Sequence, residues 1–207
     1  IDTLTTDLVE LHSAPSEEPL NLPDTLQLPI NVVIDRLGIR TLHTYILGSE
    51  TPDFSAREIA LRLNGDDTLH RLPVFTLTLE QGKLAGKLKI ATHSPFALSG
   101  QLIFHAWPAA IAADYPASSI VALRLRGNLE QPRAALVIQA GELQGQGNIA
   151  LHPFATQPLA SLNLILNGIN PQRFSADFPM ANLNLAVNLQ QTAQNSLQGN
   201  LNLQNTQ

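Results

Sequence analysis

The sequence predicts an all-β fold, a long antiparallel meander of about a dozen strands, and three observations carry that prediction. Apolar and polar residues alternate with period two through segment after segment, the pattern of strands with one buried and one wet face. The segments are joined by short connections, Glu80-Gln81-Gly82, Thr92-His93-Ser94-Pro95 and Ala140-Gly141-Glu142. These cannot hold the crossover of a dozen residues or more that parallel neighbours need, so neighbouring strands should be antiparallel. Helix signals are confined to two short places. Because ordinary sheets stop at about 4–6 strands, a meander this long must curl, close or fold over on itself.

The elements follow in order. Residues 1–25 form a lead-in, since Leu4, Leu8 and Leu11 do not settle a period and Pro15 to Pro19 reads as a loop. Between Leu26 and Leu47 the sequence predicts two strands around Asp35-Arg36-Leu37-Gly38. A strand over 59–63 precedes Asn64-Gly65-Asp66-Asp67, a turn signature whose carboxylates decorate a hairpin loop. Strands over 75–80, 83–90 and 96–105 put Thr76, Thr78, Lys83, Lys87, Lys89, Ser99 and Gln101 on the wet face. The Ala-rich stretch from Trp107-Pro108 to Tyr115-Pro116 has room for two helical turns at most. Strands over 121–125, 136–138, 143–151 and 162–166 follow. Asn170-Pro171-Gln172-Arg173 is an N-cap with proline at the first helical position, enough for a single turn. Strands over 183–189 and 197–203 close the chain, their wet faces made almost wholly of Asn and Gln. No linker divides the sequence, so residues 1–207 are read as one continuous sheet.

Composition narrows the function. Twelve Lys and Arg against 17 Asp and Glu give a net charge of −5, a poor balance for gripping a phosphate backbone, and no nucleic-acid partner is expected. The absence of Cys excludes a disulfide scaffold, a thiolate nucleophile and a cysteine zinc site. The six His are scattered without metal-pair spacing, and no metal or other cofactor is expected. No apolar run approaches the ~20 residues of a membrane span. The chain opens at Ile1 and has Met180 as its single methionine, and is expected to be a segment of a longer protein.

Enzyme motifs are missing. Gly145-Gln146-Gly147-Asn148-Ile149-Ala150 formally fits a nucleotide fingerprint, but that motif needs a helix after it and both flanks here read as strand. Glycines alternating within a strand mark a bend or a close backbone approach instead. There is no nucleophile elbow, phosphate loop or zinc-protease motif, and no enzyme activity is expected.

What remains is the apolar face. Its residues could form an ordinary sandwich or barrel core, or the floor of a trough left open for a greasy ligand. The candidate lining is Leu61, Leu63, Phe75, Leu77, Leu79, Leu84, Leu88, Ile90, Phe96, Leu98, Leu102 and Phe104, then Leu123, Leu125, Leu136, Ile138, Ile149 and Leu151. It ends with Leu162, Leu164, Leu166, Leu183, Leu185, Val187, Leu189, Leu197, Leu201 and Leu203. Aromatic residues are only 5% of the chain. Flexible aliphatic side chains match acyl tails without imposing a shape, whereas rigid rings select one ligand.

Several phrases resemble the TamB family, the inner-membrane-anchored subunit of the bacterial translocation and assembly module, within the AsmA-like group. They are His152-Pro153-Phe154-Ala155, Pro158-Leu159, Leu162-Asn163-Leu164, Ile169-Asn170-Pro171-Gln172-Arg173-Phe174, Phe178-Pro179 and Ala181-Asn182-Leu183. Leu197-Gln198-Gly199-Asn200-Leu201 and Leu203-Gln204-Asn205 continue the series, and Ser94-Pro95-Phe96-Ala97-Leu98-Ser99-Gly100 and Gly127-Asn128-Leu129-Glu130-Gln131-Pro132 look like the family's hairpin phrases. The resemblance implies a periplasmic β-taco, an open half-pipe with a hydrophobic interior, in a protein anchored in the inner membrane of a Gram-negative bacterium. It also implies a role in carrying phospholipid, or another acyl-chain ligand, between inner and outer membranes in outer-membrane biogenesis. The alternative it implies is a scaffold or chaperone in outer-membrane protein and autotransporter assembly, with the barrel partner TamA engaged by regions outside this segment.

Overall fold

The computed structural model describes residues 1–14, 22–107, 119–175 and 177–206. Its twelve strands form one open sheet in chain order: β1 (Thr3–Ser13), β2 (Val32–Ile46), β3 (Phe54–Gly65), β4 (Leu69–Leu79), β5 (Gly82–Ala91) and β6 (Ala97–Ala106). The second half is β7 (Ser119–Asn128), β8 (Pro132–Ala140), β9 (Leu143–Leu151), β10 (Leu159–Ile169), β11 (Leu183–Gln191) and β12 (Leu197–Asn205). The sheet does not close: β1 and β12 are its two free edges. It is an open, curled half-pipe. The only helical element among the described residues is a single 3₁₀ turn, Pro171–Arg173, where the Asn170 side chain accepts from the Gln172 N–H as the sequence predicts.

The antiparallel expectation holds from β2 to β12 and fails at the first pair. β1 runs parallel to β2, with Leu4 beside Leu37 and Val9 beside Leu42. The lead-in is therefore a full strand. The 18 residues between Ser13 and Val32 supply the length that a parallel return requires, which the short hairpins elsewhere do not. A second correction concerns the stretch read as two strands within 26–47. It is one strand, β2, with a break in register between Ile34 and Leu37. Asp35-Arg36 is a bulge inside a strand, and bulges look like turns in sequence because they too interrupt the period. The Ala-rich stretch 108–116 and the proline loop 15–19 lie outside the described residues.

Among the described residues, every pair of elements in extensive contact is a pair of neighbouring strands, so the strands form a single layer. The accessible surface shows the consequence. A compact 22.4 kDa protein exposes roughly 9,400 Å² by the usual scaling, whereas this chain exposes 13370 Å². Among the described residues the buried apolar ones are few, and Phe75, Ala106, Leu136 and Ala140 share one face of the sheet.

One turn is unusually well fastened. At the β3–β4 hairpin the Asp66 carboxylate accepts from the Thr68 hydroxyl and N–H (2.6 and 2.9 Å), the Leu69 N–H (2.7 Å) and the Arg71 guanidinium (2.8 Å). The Thr68 hydroxyl, then Arg71 and the two backbone donors, hold its carboxyl well below the usual carboxylate range. Beside it the Thr92 side chain, fully buried, donates to the Asp67 carbonyl.

Candidate hydrophobic groove

Strand register turns the apolar alternation into ordered rows. Reading partner to partner across the sheet, Leu4 lies beside Leu37, Leu37 beside Leu61, and Leu61 beside Phe75. The same row continues through Gly86, Leu102, Leu123, Leu136, Gly147, Leu164, Val187 and Leu201. It crosses all twelve strands without a polar member. At about 4.8 Å per strand it is roughly 53 Å long.

Parallel rows flank it. One runs Leu77, Leu84, Phe104, Val121, Ile138, Gly145, Leu166, Leu185 and Leu203. Another runs Leu72, Leu88, Gly100, Leu125, Ala134, Ile149, Leu162, Leu189 and Gly199. Most of these side chains are half-buried, with neither the full burial of a core nor the exposure of the outer face. Toward β12 the cover thins, and Leu201 and Leu203 are 69% and 55% exposed.

The placement of the expected lining is thus uneven. Leu61, Leu63, Leu77, Leu79, Leu84, Leu88, Ile90, Leu98, Leu102 and Phe104 share the face, as do Leu123 and Leu125 and the members from Ile138 to Leu189. Phe75 and Leu136 share it too but are buried in the floor. Phe96 stands outside β6 in a left-handed conformation (φ 53°) and is 3% exposed, so it offers almost no surface to a ligand. Sequence periodicity also missed a member, Leu72, because a register shift between Leu72 and Phe75 resets the alternation at Pro73-Val74. The missed signal was the proline, which inside a strand marks an edge or a bulge.

Two glycines of the nucleotide-like phrase have a clear structural role. A Cβ on Gly145 would meet Leu166 Cδ2 at 2.5 Å and Ile138 Cβ at 3.1 Å, and one on Gly147 would run into the Asn163 carbonyl. Both positions are bare so that β8 and β10 can bring Leu136, Ile138, Leu164 and Leu166 together over β9.

One end of the apolar face is partly covered. The Leu26 carbonyl is 2.7 Å from His70 Nε2, the Leu26 N–H donates to the Thr92 carbonyl, and Thr25 bridges His93. The segment ahead of β2 therefore lies across the ends of β4 and β5 on the groove side. His12 stacks on Tyr45, ring centroids 4.9 Å apart. Among the described residues no cluster of three or more His, Cys, Asp or Glu could hold a metal ion, and no helix is long and apolar enough to cross a membrane.

Searches against protein families, curated proteins and solved structures found no match to this chain.

Proposed function

We propose that this chain is a section of a periplasmic hydrophobic groove that conducts phospholipid between the inner and outer membranes, in the manner of the TamB family its phrases resemble. The observation that carries the reading is the unbroken apolar row from Leu4 to Leu201, left half-covered by a sheet one layer thick. A lipid tail laid in that floor gains about 0.8 kcal/mol for each CH₂ removed from water. Moving it along the row exchanges one aliphatic contact for another, so sliding is easy while escape into water is costly. The half-pipe supplies a path and no driving force.

The test is photocrosslinking in living cells. A photoreactive residue replaces Leu185 in the groove or Asn188 on the outer face, and the adducts are analysed for phospholipid. Asn188 is the better control than Asn184, whose amide accepts from the Gly168 N–H. Lipid on Leu185 alone is the expected result; lipid on neither would mean a face closed over as a core.

A second reading, a scaffold in outer-membrane protein assembly beside a TamA-like barrel, is favoured by the position of β1 and β12 as the outermost strands of the sheet among the described residues. An incoming strand could add to either by backbone hydrogen bonding. That role puts crosslinks on protein rather than lipid, concentrated at the two edges.

A further inference from the structure

The outer face carries a charge pattern that the groove does not use. Seven of the 12 Lys and Arg, namely Arg71, Lys83, Lys87, Lys89, Arg124, Arg126 and Arg133, stand on it within five neighbouring strands of an otherwise acidic chain. Register sets like charges directly against one another, Arg71 beside Lys89 and Arg126 beside Arg133. Lys87 with Lys89 and Arg124 with Arg126 repeat the charge two residues along each strand. Facing like charges destabilise a sheet. Only Arg71 has a relieving carboxylate, Asp66; among the described residues the other ion pairs are Arg40–Asp7 and Arg173–Glu142, both elsewhere. Glu130, in the β7–β8 turn, is the nearest carboxylate along the chain to Arg126 and Arg133 and forms no ion pair there.

Five of these cations, Arg71, Lys87, Lys89, Arg124 and Arg126, line a hollow of about 470 Å³ together with Leu72, Pro73, Leu88 and Leu125, within the range of small-ligand sites. The saddle twist of a sheet gives even its outer face such concavities. The Lys pair on β5 and the Arg pair on β7 are separated by β6, hence by roughly 10 Å. Between them β6 presents Ser99 and Gln101, and β3 presents Asn64 at its side, uncharged side chains that can donate hydrogen bonds. A second hollow adjoins it, lined by the same two Arg with Arg133.

We propose that this hollow binds a small phosphorylated polyanion, a ligand with two or more phosphate groups bridging the Lys87–Lys89 and Arg124–Arg126 pairs. The rectangle needs several negative charges at once, and one carboxylate would offset one corner. Arginine forks grip phosphate oxygens in pairs, and lysines supply the remaining point charges. A concave floor fits a discrete ligand better than it fits a flat bilayer. Its charged and amide side chains point away from the groove, which meets the hollow only through the strands of Leu72, Leu88, Gly100 and Leu125, so the proposal stands or falls independently of lipid conduction.

The test is isothermal titration calorimetry of the whole chain with inorganic tripolyphosphate, at low salt and at ~0.15 M. Saturable binding is expected, weakened about tenfold or more in Arg124→Gln/Arg126→Gln by loss of two charge-assisted contacts. Lys87→Gln/Lys89→Gln should give the same loss from the other side, and Lys83→Gln, outside the hollow, should give little. All substituted residues are exposed, and relief of the facing charges should leave thermal midpoints equal or raised. No saturable binding, or equal weakening by Lys83→Gln, would overturn the proposal. So would binding to phosphatidylglycerol vesicles without binding to tripolyphosphate, which would make the patch a membrane contact.

Discussion

At the scale of single residues, charge and volume decide. Asp66 is the group whose ionisation the fold favours most visibly, four donors converging on one carboxylate. Its folded value lies below the ordinary 3.8, so the unfolded chain binds the proton more readily. The stability it contributes is complete above pH 3.8 and drains away as the pH falls further toward the lowered folded value. Urea midpoints compared between pH 6 and acid should accordingly drop further for the natural chain than for Asp66→Asn; identical drops would mean that the turn contributes nothing through this charge. Gly147 is limited by space instead. Gly147→Val forces a side chain against the backbone of β10 and should cost about 1–3 kcal/mol by chemical denaturation. A neutral outcome would show that β9 and β10 can part there freely.

At the scale of elements, much was legible because hairpins are local. Period two marks each strand from β3 to β12, and the Asn170-Pro171 signal marks the 3₁₀ turn. What could not be read was whatever depends on distant partners or a broken period. β1 has a strand's length but no alternation of its own; the partner that orders it, β2, lies beyond an 18-residue connection. Leu72 was hidden by the bulge at Pro73-Val74, and β2 looked like two strands because of Asp35-Arg36. The groove's membership was readable as a list of residues, whereas its rows came from register, which sequence periodicity does not state. The cationic rectangle escaped notice for the same reason, since its corners belong to strands two apart. At the free edge, β12 has a neighbouring strand on one side only, β11, and exposes Leu201 and Leu203, a template for self-pairing. Leu201→Lys/Leu203→Lys should shift sedimentation toward monomer, and an unchanged distribution would locate any association elsewhere.

At the scale of the whole molecule, openness is the measurable quantity. A compact chain of this length has a radius of gyration near ~17 Å, and a single-layer half-pipe roughly 53 Å long must exceed it. Small-angle scattering that returned the compact value would mean that the edges close in solution. The thinness has a further consequence for how the fold comes apart. Since among the described residues each strand makes its extensive contacts with the strands beside it, no central core ties the whole sheet together, and stability is a chain of nearest-neighbour couplings. Opening then begins at the rims and works inward, one hairpin at a time. Amide hydrogen exchange should be slowest in β5 to β9 and quicken stepwise toward β1 and β12, a gradient along the conduit in place of a single melting event.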